Sequence, residues 1–350
     1  MASRPQAEPD GAWAGWRPFR IVAAAPEARD VVSFRLVPQD GAALPPFRGG
    51  QHVALRAGPA GARRVRCYSL SSLPDAGGYR LTVKRVGGGE MSGFLHALSP
   101  PFAAAVELMA PRGDFCIAPG AAGEAFPVVL IAGGIGITPL LSMLHQLRRD
   151  GWPAPVDLLY SVRSASAHAF AEEILDLQKA MPRLSVSTFY SRPEPADLSS
   201  AACDVAGRLS AAHLAGVAAP AARFYVCGPA AMIAFVMEAL ARLGVGAERR
   251  FAESFGPPCR RLSGAALAPQ PVQLVRSGRT FLWRPGGPSL LELAEDAGVN
   301  VMSNCRVGQC DACAAKLLAG EVDCPGQEQP AADECFLCVA QPLTPLIIDL

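Results

Sequence analysis

Six of the chain's eleven cysteines fall between Cys305 and Cys338, and three of them are set as Cys305-x4-Cys310-x2-Cys313. With Cys338 as a fourth thiolate, this spacing wraps one short loop around a [2Fe–2S] cluster and takes the last ligand from a distant segment. Gly308 supplies the backbone freedom that so tight a loop needs. Structural zinc competes, because Cys310-x2-Cys313 and Cys335-x2-Cys338 also make two CxxC pairs about twenty residues apart. Zinc leaves Cys305 without a role, so Cys305, Cys310, Cys313 and Cys338 are the expected iron ligands. Cys324 and Cys335 are surplus, buried or incidental. The scattered Cys67, Cys116, Cys203, Cys227 and Cys259 mostly read as small buried hydrophobes.

A second set of residues suits a flavin. Arg66-Cys67-Tyr68-Ser69-Leu70-Ser71, after Gly50-Gln51-His52-Val53, offers a guanidinium for phosphate, an aromatic face for a ring and a hydroxyl for its reducible nitrogen. Val83-Lys84-Arg85-Val86 then leads into Gly87-Gly88-Gly89-Glu90-Met91-Ser92, a glycine loop opening a helix, where backbone N–H groups cradle a phosphate. A third set suits a dinucleotide. Val128 to Ala132 runs into Gly133-Gly134-Ile135-Gly136-Ile137-Thr138-Pro139, a strand, a glycine turn and a helix start. Such a turn is weak evidence alone. Its context strengthens it, because Tyr160 to Arg163, then Tyr225-Val226-Cys227-Gly228-Pro229, then Phe251-Ala252-Glu253-Ser254-Phe255 follow in order. Thr138 is expected to cap the helix and to contact the nucleotide. Ser191-Arg192 would receive a 2′-phosphate; NADH is slightly favoured and NADPH stays open. The five histidines show no metal spacing.

These groups need scaffolds. At 350 residues the chain suits two or three cores, and three are expected. Residues 17–120 show short apolar and β-branched runs parted by Gly and Pro turns, the pattern of an antiparallel β-barrel that would bind the flavin. Residues 125–258 alternate strands and helices, which calls for a parallel sheet with crossover helices that would bind NAD(P). An Ala- and Pro-rich linker is expected over 259–271 and a third unit over 272–350. That last unit holds five basic against ten acidic residues, about −5, while the whole chain nearly balances at 32 against 31. Its acidity would help it dock near the flavin, with a solvated surface as the plain alternative. The near-neutral whole gives no field for nucleic acid or an anionic membrane. Ala125 to Leu144 is long and apolar enough for a membrane span, but its glycines and prolines break it. No basic start with an apolar run opens the chain, so a cytoplasmic protein is expected.

The last eighty or so residues resemble the plant-type ferredoxin family, in the cysteine loop, the preceding Leu290 to Val299 segment and the ending Cys338-Val339-Ala340-Gln341-Pro342. That resemblance implies a β-grasp fold, one iron held by Cys305 and Cys310 and the other by Cys313 and Cys338. Asp311 departs from the family's usual Gly without removing a ligand. From Phe19 to about Phe255, Arg66 to Ser71, Gly87 to Ser92, Pro111-Arg112-Gly113-Asp114-Phe115 and the three nucleotide motifs resemble the ferredoxin–NADP reductase superfamily, in its bacterial oxygenase-reductase branch. The phthalate dioxygenase reductase group shares the domain order and uses FMN; Pro111 to Phe115 and Ser71-Ser72 look more like the FAD-binding relatives. The resemblance implies Arg66 at the flavin phosphate, Tyr68 stacked on the ring, Ser69 near N5, and Gly89, Met91 and Ser92 at the phosphate end, with Leu70 and Lys84 beside them. It places Cys227 near nicotinamide C4 and Glu253 on the same pocket, with Gly133, Gly134, Gly136, Thr138, Pro139, Arg163, Gly228, Pro229 and Phe255 around the nucleotide. The implied function is an NAD(P)H-dependent flavin and iron–sulfur reductase, working as a monomer and feeding single electrons to an oxygenase, hydroxylase or demethylase component. A self-sufficient diaphorase reducing quinone or ferric iron, and a non-catalytic redox sensor, are the rival readings.

Overall fold

The computed structural model describes residues 13, 15–58, 64–72, 77–102, 104, 106–117, 125–199, 202–255, 268–303, 308, 312–324 and 333–350. The chain divides into two compact units, Met1–Ser254 and Phe255–Leu350. The first unit contains two sheets.

Strands β1 (Arg17–Ala28), β2 (Val31–Pro38), β3 (His52–Ala57), β4 (Arg64–Ser69), β5 (Tyr79–Lys84) and β6 (Val106–Leu108), with helix α1 (Glu90–His96), form the first half. The sheet runs β4-β3-β6-β1-β2-β5 with antiparallel pairing, and Leu70↔Leu81 bridges the segments of the two end strands. Alternating residues such as Phe19, Ile21, Phe34, Leu36, Val53 and Leu55 fill its interior, as the two-residue period of a strand demands. Each such buried side chain contributes about 1.5–3 kcal/mol.

The second half alternates β7 (Val128–Gly133), α2 (Ile137–Arg149), β8 (Val156–Val162), α3 (Ala171–Ala180), β9 (Leu184–Tyr190), α4 (Pro195–Ser199), β10 (Val205–Ala206), α5 (Ala211–Val217), β11 (Arg223–Cys227), α6 (Ala230–Arg242) and β12 (Arg250–Glu253). Its parallel sheet has the order β10-β9-β8-β7-β11-β12. Every residue of β7 is buried because helices cover both faces, which is why its sequence is an unbroken apolar run. Two apolar clusters flank the sheet, one containing Leu140, Leu144 and Ile174, the other Leu214, Val236 and Leu240. No helix among the described residues is long and apolar enough to cross a membrane; the apolar stretch from Ala125 to Leu144 is β7, the glycine turn and the start of α2.

The second unit holds β13 (Gln270–Leu274), β14 (Arg279–Trp283), α7 (Leu290–Asp296), β15 (Ala314–Ala319), β16 (Val322–Asp323), β17 (Glu334–Phe336), β18 (Gln341–Pro342) and β19 (Leu346–Ile348). Its mixed sheet, β14-β13-β19-β15-β17, pairs β13 with β19 in parallel, the β-grasp arrangement. A Ser289/Glu292 capping box starts α7, with the Ser289 hydroxyl accepting from the Glu292 N–H at 3.2 Å. Strand β13 begins at Gln270, inside the segment expected to be linker: Val272 and Leu274 drive it into the core, and Pro271 is tolerated among them.

Candidate active site

Strand β4 ends at Ser69 and β12 at Glu253, and the two ends meet within the first unit. The Ser69 hydroxyl donates to Glu253 Oε2 at 3.5 Å, and His52 Nδ1 lies 4.0 Å from Glu253 Oε1. Glu253 is 6% exposed. Burial pushes its carboxyl up to about 8, against a smaller downward pull from the Ser69 hydrogen bond, so the group is protonated at neutral pH. Cys227 pairs with Glu253 in register and is fully buried; burial, then the neighbouring Glu253, raises its thiol well above the ordinary range. It is a neutral thiol here, not a nucleophile. Cys116 stands on the same side, its thiol pushed up to about 12 chiefly by burial, with Glu253 adding to the rise.

The structure thus brings Ser69, Cys227 and Glu253 together, as expected from three motifs far apart in the chain. Sequence reasoning overlooked His52 and Cys116. His52 follows Gly50-Gln51 on β3 and pairs across the strand with Ser69, a register that only the fold supplies. Gly113 has φ +114, and a Cβ there would sit 2.9 Å from His52 Nδ1, so the Arg112-Gly113-Asp114 turn must stay bare to seat the imidazole.

On β4 the exposed Arg66 and half-buried Tyr68 lie two residues apart, on one face of the strand. Leu70 and Met91 are buried, while Lys84 is exposed at the end of β5. The glycine loop turns at Gly88, φ +72, and Gly89 occupies the N-cap of α1. Ser92 accepts from the Val86 N–H at 3.1 Å and donates to the Gly89 carbonyl at 3.2 Å, so its hydroxyl shapes the loop.

The nucleotide turn shows why glycine is required. A Cβ on Gly136 would stand 2.2 Å from the Cys227 carbonyl oxygen, and one on Gly133 would meet Pro229 Cδ at 2.7 Å. The turn therefore packs backbone to backbone against Cys227-Gly228-Pro229, and Pro229 in turn caps α6. Gly134 has φ +53 and open space at its Cβ position, leaving room for a phosphate against the N-terminus of α2. Thr138 does not cap that helix. Gly136 holds the N-cap, and the Thr138 hydroxyl donates to the Ile135 carbonyl at 3.0 Å, with the residue and the neighbouring Pro139 buried. Arg163 is exposed after β8 and its carbonyl accepts the Arg192 N–H at 2.8 Å, so the Ser191-Arg192 turn runs beside it.

In the second unit Cys313 and Cys338 are buried, and the Gly308 N–H donates to Cys338 Sγ at 3.2 Å. An amide aimed at a thiolate ligand is what a cluster loop supplies, so these residues suit the group. Cys305 and Cys310 lie outside the described residues, as does Asp311. Among the described residues no three metal-binding side chains form a group. Cys324 and Cys335 are buried, and burial, then the neighbouring Cys324 and Cys313, pushes the Cys335 thiol up to about 12. Phe255, the first residue of this unit, is 44% exposed.

Comparison with known proteins agrees with this layout. Residues 18–117 match the oxidoreductase FAD-binding domain family, 130–238 the oxidoreductase NAD-binding domain family, and 272–343 the 2Fe-2S iron-sulfur cluster binding domain family. The last match overturns the zinc reading of the CxxC pairs. A flavohemoprotein of Deinococcus radiodurans is 40% identical over 253 residues, covering 71% of this chain and 61% of that protein; the chain spans about three fifths of the length of the curated relatives it matches. The flavohem-like FAD/NAD binding domain of nitric oxide dioxygenase from Vibrio cholerae O1 biovar El Tor is 33% identical, with a TM-score of 0.60, over 69% of this chain and 99% of that one. Phthalate dioxygenase reductase, described as a modular structure for electron transfer from pyridine nucleotides to [2Fe-2S], is 30% identical with a TM-score of 0.66, covering 96% of this chain and 98% of that one. With FAD-binding, NAD-binding and [2Fe–2S] domains in that order, the chain belongs to the ferredoxin–NADP reductase superfamily, in the branch that contains phthalate dioxygenase reductase.

Proposed function

We propose that the chain is an NAD(P)H-dependent reductase that takes hydride into FAD and delivers single electrons through its [2Fe–2S] domain to a partner protein, the terminal component of an oxygenase, hydroxylase or demethylase system. The observation that carries it is the meeting of Ser69, from the flavin motif, with Cys227 and Glu253, from the nicotinamide motifs, in one buried cluster. When bound, the flavin converts a two-electron donor into single electrons and the cluster carries them one at a time. The protein's own part is placement. Arg66 and the Gly88–Gly89 loop anchor phosphates, Tyr68 offers its ring, and the Gly133–Gly136 turn holds the pyrophosphate. Protonated Glu253 keeps a proton beside the Ser69 hydroxyl, and Cys227 gives a neutral wall against which nicotinamide lies. Cys305, Cys310, Cys313 and Cys338 hold the irons. A monomer acting in the cytoplasm suits this role, with domains over 17–120, 125–258 and 272–350.

The test is an absorption spectrum with acid extraction of flavin and iron analysis, followed by anaerobic NADH. Flavin with about two irons per chain, both bleached by NADH, supports the electron chain; zinc in place of iron, or NADH without effect on the cluster bands, removes it.

A further inference from the structure

A second polar junction joins the barrel to the nucleotide-binding half of the first unit, away from the Ser69–Glu253 cluster. Arg80, on β5, reaches Glu173 at the start of α3 with two parallel bonds, Nη1 to Oε2 and Nη2 to Oε1, both 2.8 Å. Its Nη2 also donates to the Ser71 carbonyl and its Nε to the Ser71 hydroxyl at 3.3 Å. Ser71 lies two residues beyond Ser69, and a hydroxyl chain continues from it to Thr82 at 2.7 Å and on to Ser33 at 2.8 Å. On the other side, His145 Nε2 on α2 contacts Glu173 Oε1 at 2.5 Å. Burial raises the Glu173 carboxyl, but the bonds from His145 and Arg80 outweigh it and bring the group down to about 2.

Two further features show that the junction is built. The Arg80 guanidinium lies 5.0 Å over the Phe170 ring, and Phe170 is a buried non-glycine residue held at φ +62, a conformation that surrounding structure must enforce. Helix α2 also faces the barrel along one stripe. Ser142 Oγ accepts the Gly50 N–H at 3.3 Å, Gln146 Oε1 accepts the Gly49 N–H at 2.6 Å, and His145 lies between them. Positions three and four apart share a helix face. A Cβ on Gly49 would fall 2.6 Å from the Ser142 carbonyl oxygen, so the stripe is seated directly on barrel backbone. The N-terminus of this same helix follows the Gly133–Gly136 turn.

We propose that Arg80, Glu173 and His145 are positioning residues that lock helix α2, and the nicotinamide site at its N-terminus, to the flavin strand β4 through Ser71. The proposal rests on the hydride-transfer reading above. Hydride transfer needs reacting atoms about 3–3.5 Å apart, and misplacement by an ångström costs up to about a hundredfold. A planar two-pronged arginine, shared between a carboxylate on one half and a carbonyl on the other, sets such a distance as a lysine does not.

The test uses the flavin-loaded full chain. Glu173→Gln changes no atom of the barrel and is near-isosteric; Glu173→Ala serves as the stronger variant. Stopped-flow reduction by NADH is expected to slow about tenfold or more at saturating nucleotide, with KM moving less than about threefold and flavin content unchanged. Arg80→Gln combined with Glu173→Gln should be no slower than the worse single variant, because both break one bridge. Independently of turnover, amide exchange over Leu70–Ser72 and His145–Arg149 should quicken in Glu173→Gln before any nucleotide is added. Unchanged reduction and exchange in Glu173→Ala, or additive losses in the double variant, overturn the proposal. If the wild-type chain itself is not reduced by NADH, the functional reading fails instead, and the exchange data alone judge the lock.

Discussion

Glu253 carries a measurable consequence of its burial. Its carboxyl is pushed up to about 8 from an ordinary value of 4.5, so between those pH values the folded chain holds a proton that the unfolded chain has released. Stability contributed by the protonated group is complete below about 4.5, declines as pH rises toward 8 and is flat above. Glu253→Gln should remove that decline, a difference on the order of 5 kcal/mol across the window, seen as a flatter plot of thermal midpoint against pH. An unchanged slope in the variant assigns the pH dependence elsewhere. Arg66→Ala belongs to the same scale. With Arg66 at the flavin phosphate as proposed, its loss predicts flavin-poor protein, checked by the ratio of flavin to protein absorbance. Ser69, Cys227 and Glu253 were legible in sequence because each ends a strand in a short, ordered motif. His52 and Cys116 were not, because their nearness to Glu253 is a product of the fold and neither carries a pattern of its own.

At the scale of elements, the glycine turn before α2 makes the sharpest claim. A methyl on Gly136 would meet the Cys227 carbonyl at 2.2 Å, backbone against backbone, and no side-chain rotation relieves that. Gly136→Ala should cost about 1–3 kcal/mol by denaturant unfolding and weaken NADH binding strongly. Gly134→Ala meets open space and pays only the positive φ, about 1–2 kcal/mol; equal effects on stability and binding from the two would refute the close-approach argument. The alternation of strands and helices from β7 to α6 was readable because each element has its own period and punctuation. Thr138 misled for a physical reason: a threonine near a helix start has the chemistry of a cap, but the glycine-rich entry puts Gly136 in that position and turns Thr138 inward. The Arg80–Glu173 bridge joins residues 93 apart in the chain, and each looks like an ordinary surface charge until the two halves are folded together.

The proposed electron path divides along the structural division, since every residue of the Ser69–Cys227–Glu253 cluster lies in the unit Met1–Ser254 and every expected iron ligand in Phe255–Leu350. The two activities should therefore separate by mutation. On the proposed ligand set, Cys310→Ser removes one of four thiolates, and a [2Fe–2S] cluster held by the remaining three loses its iron or its stability. The visible cluster absorption should disappear while flavin content stays at the wild-type level. NADH should still reduce a two-electron dye at about the wild-type rate, because that reaction draws only on the first unit, whereas reduction of a one-electron acceptor protein should fall by at least tenfold. Retained cluster absorbance would remove Cys310 from the ligand set. Loss of dye reduction together with the cluster would show that the second unit supports the folding of the first, and the division into two compact bodies would then describe the geometry without describing the energetics.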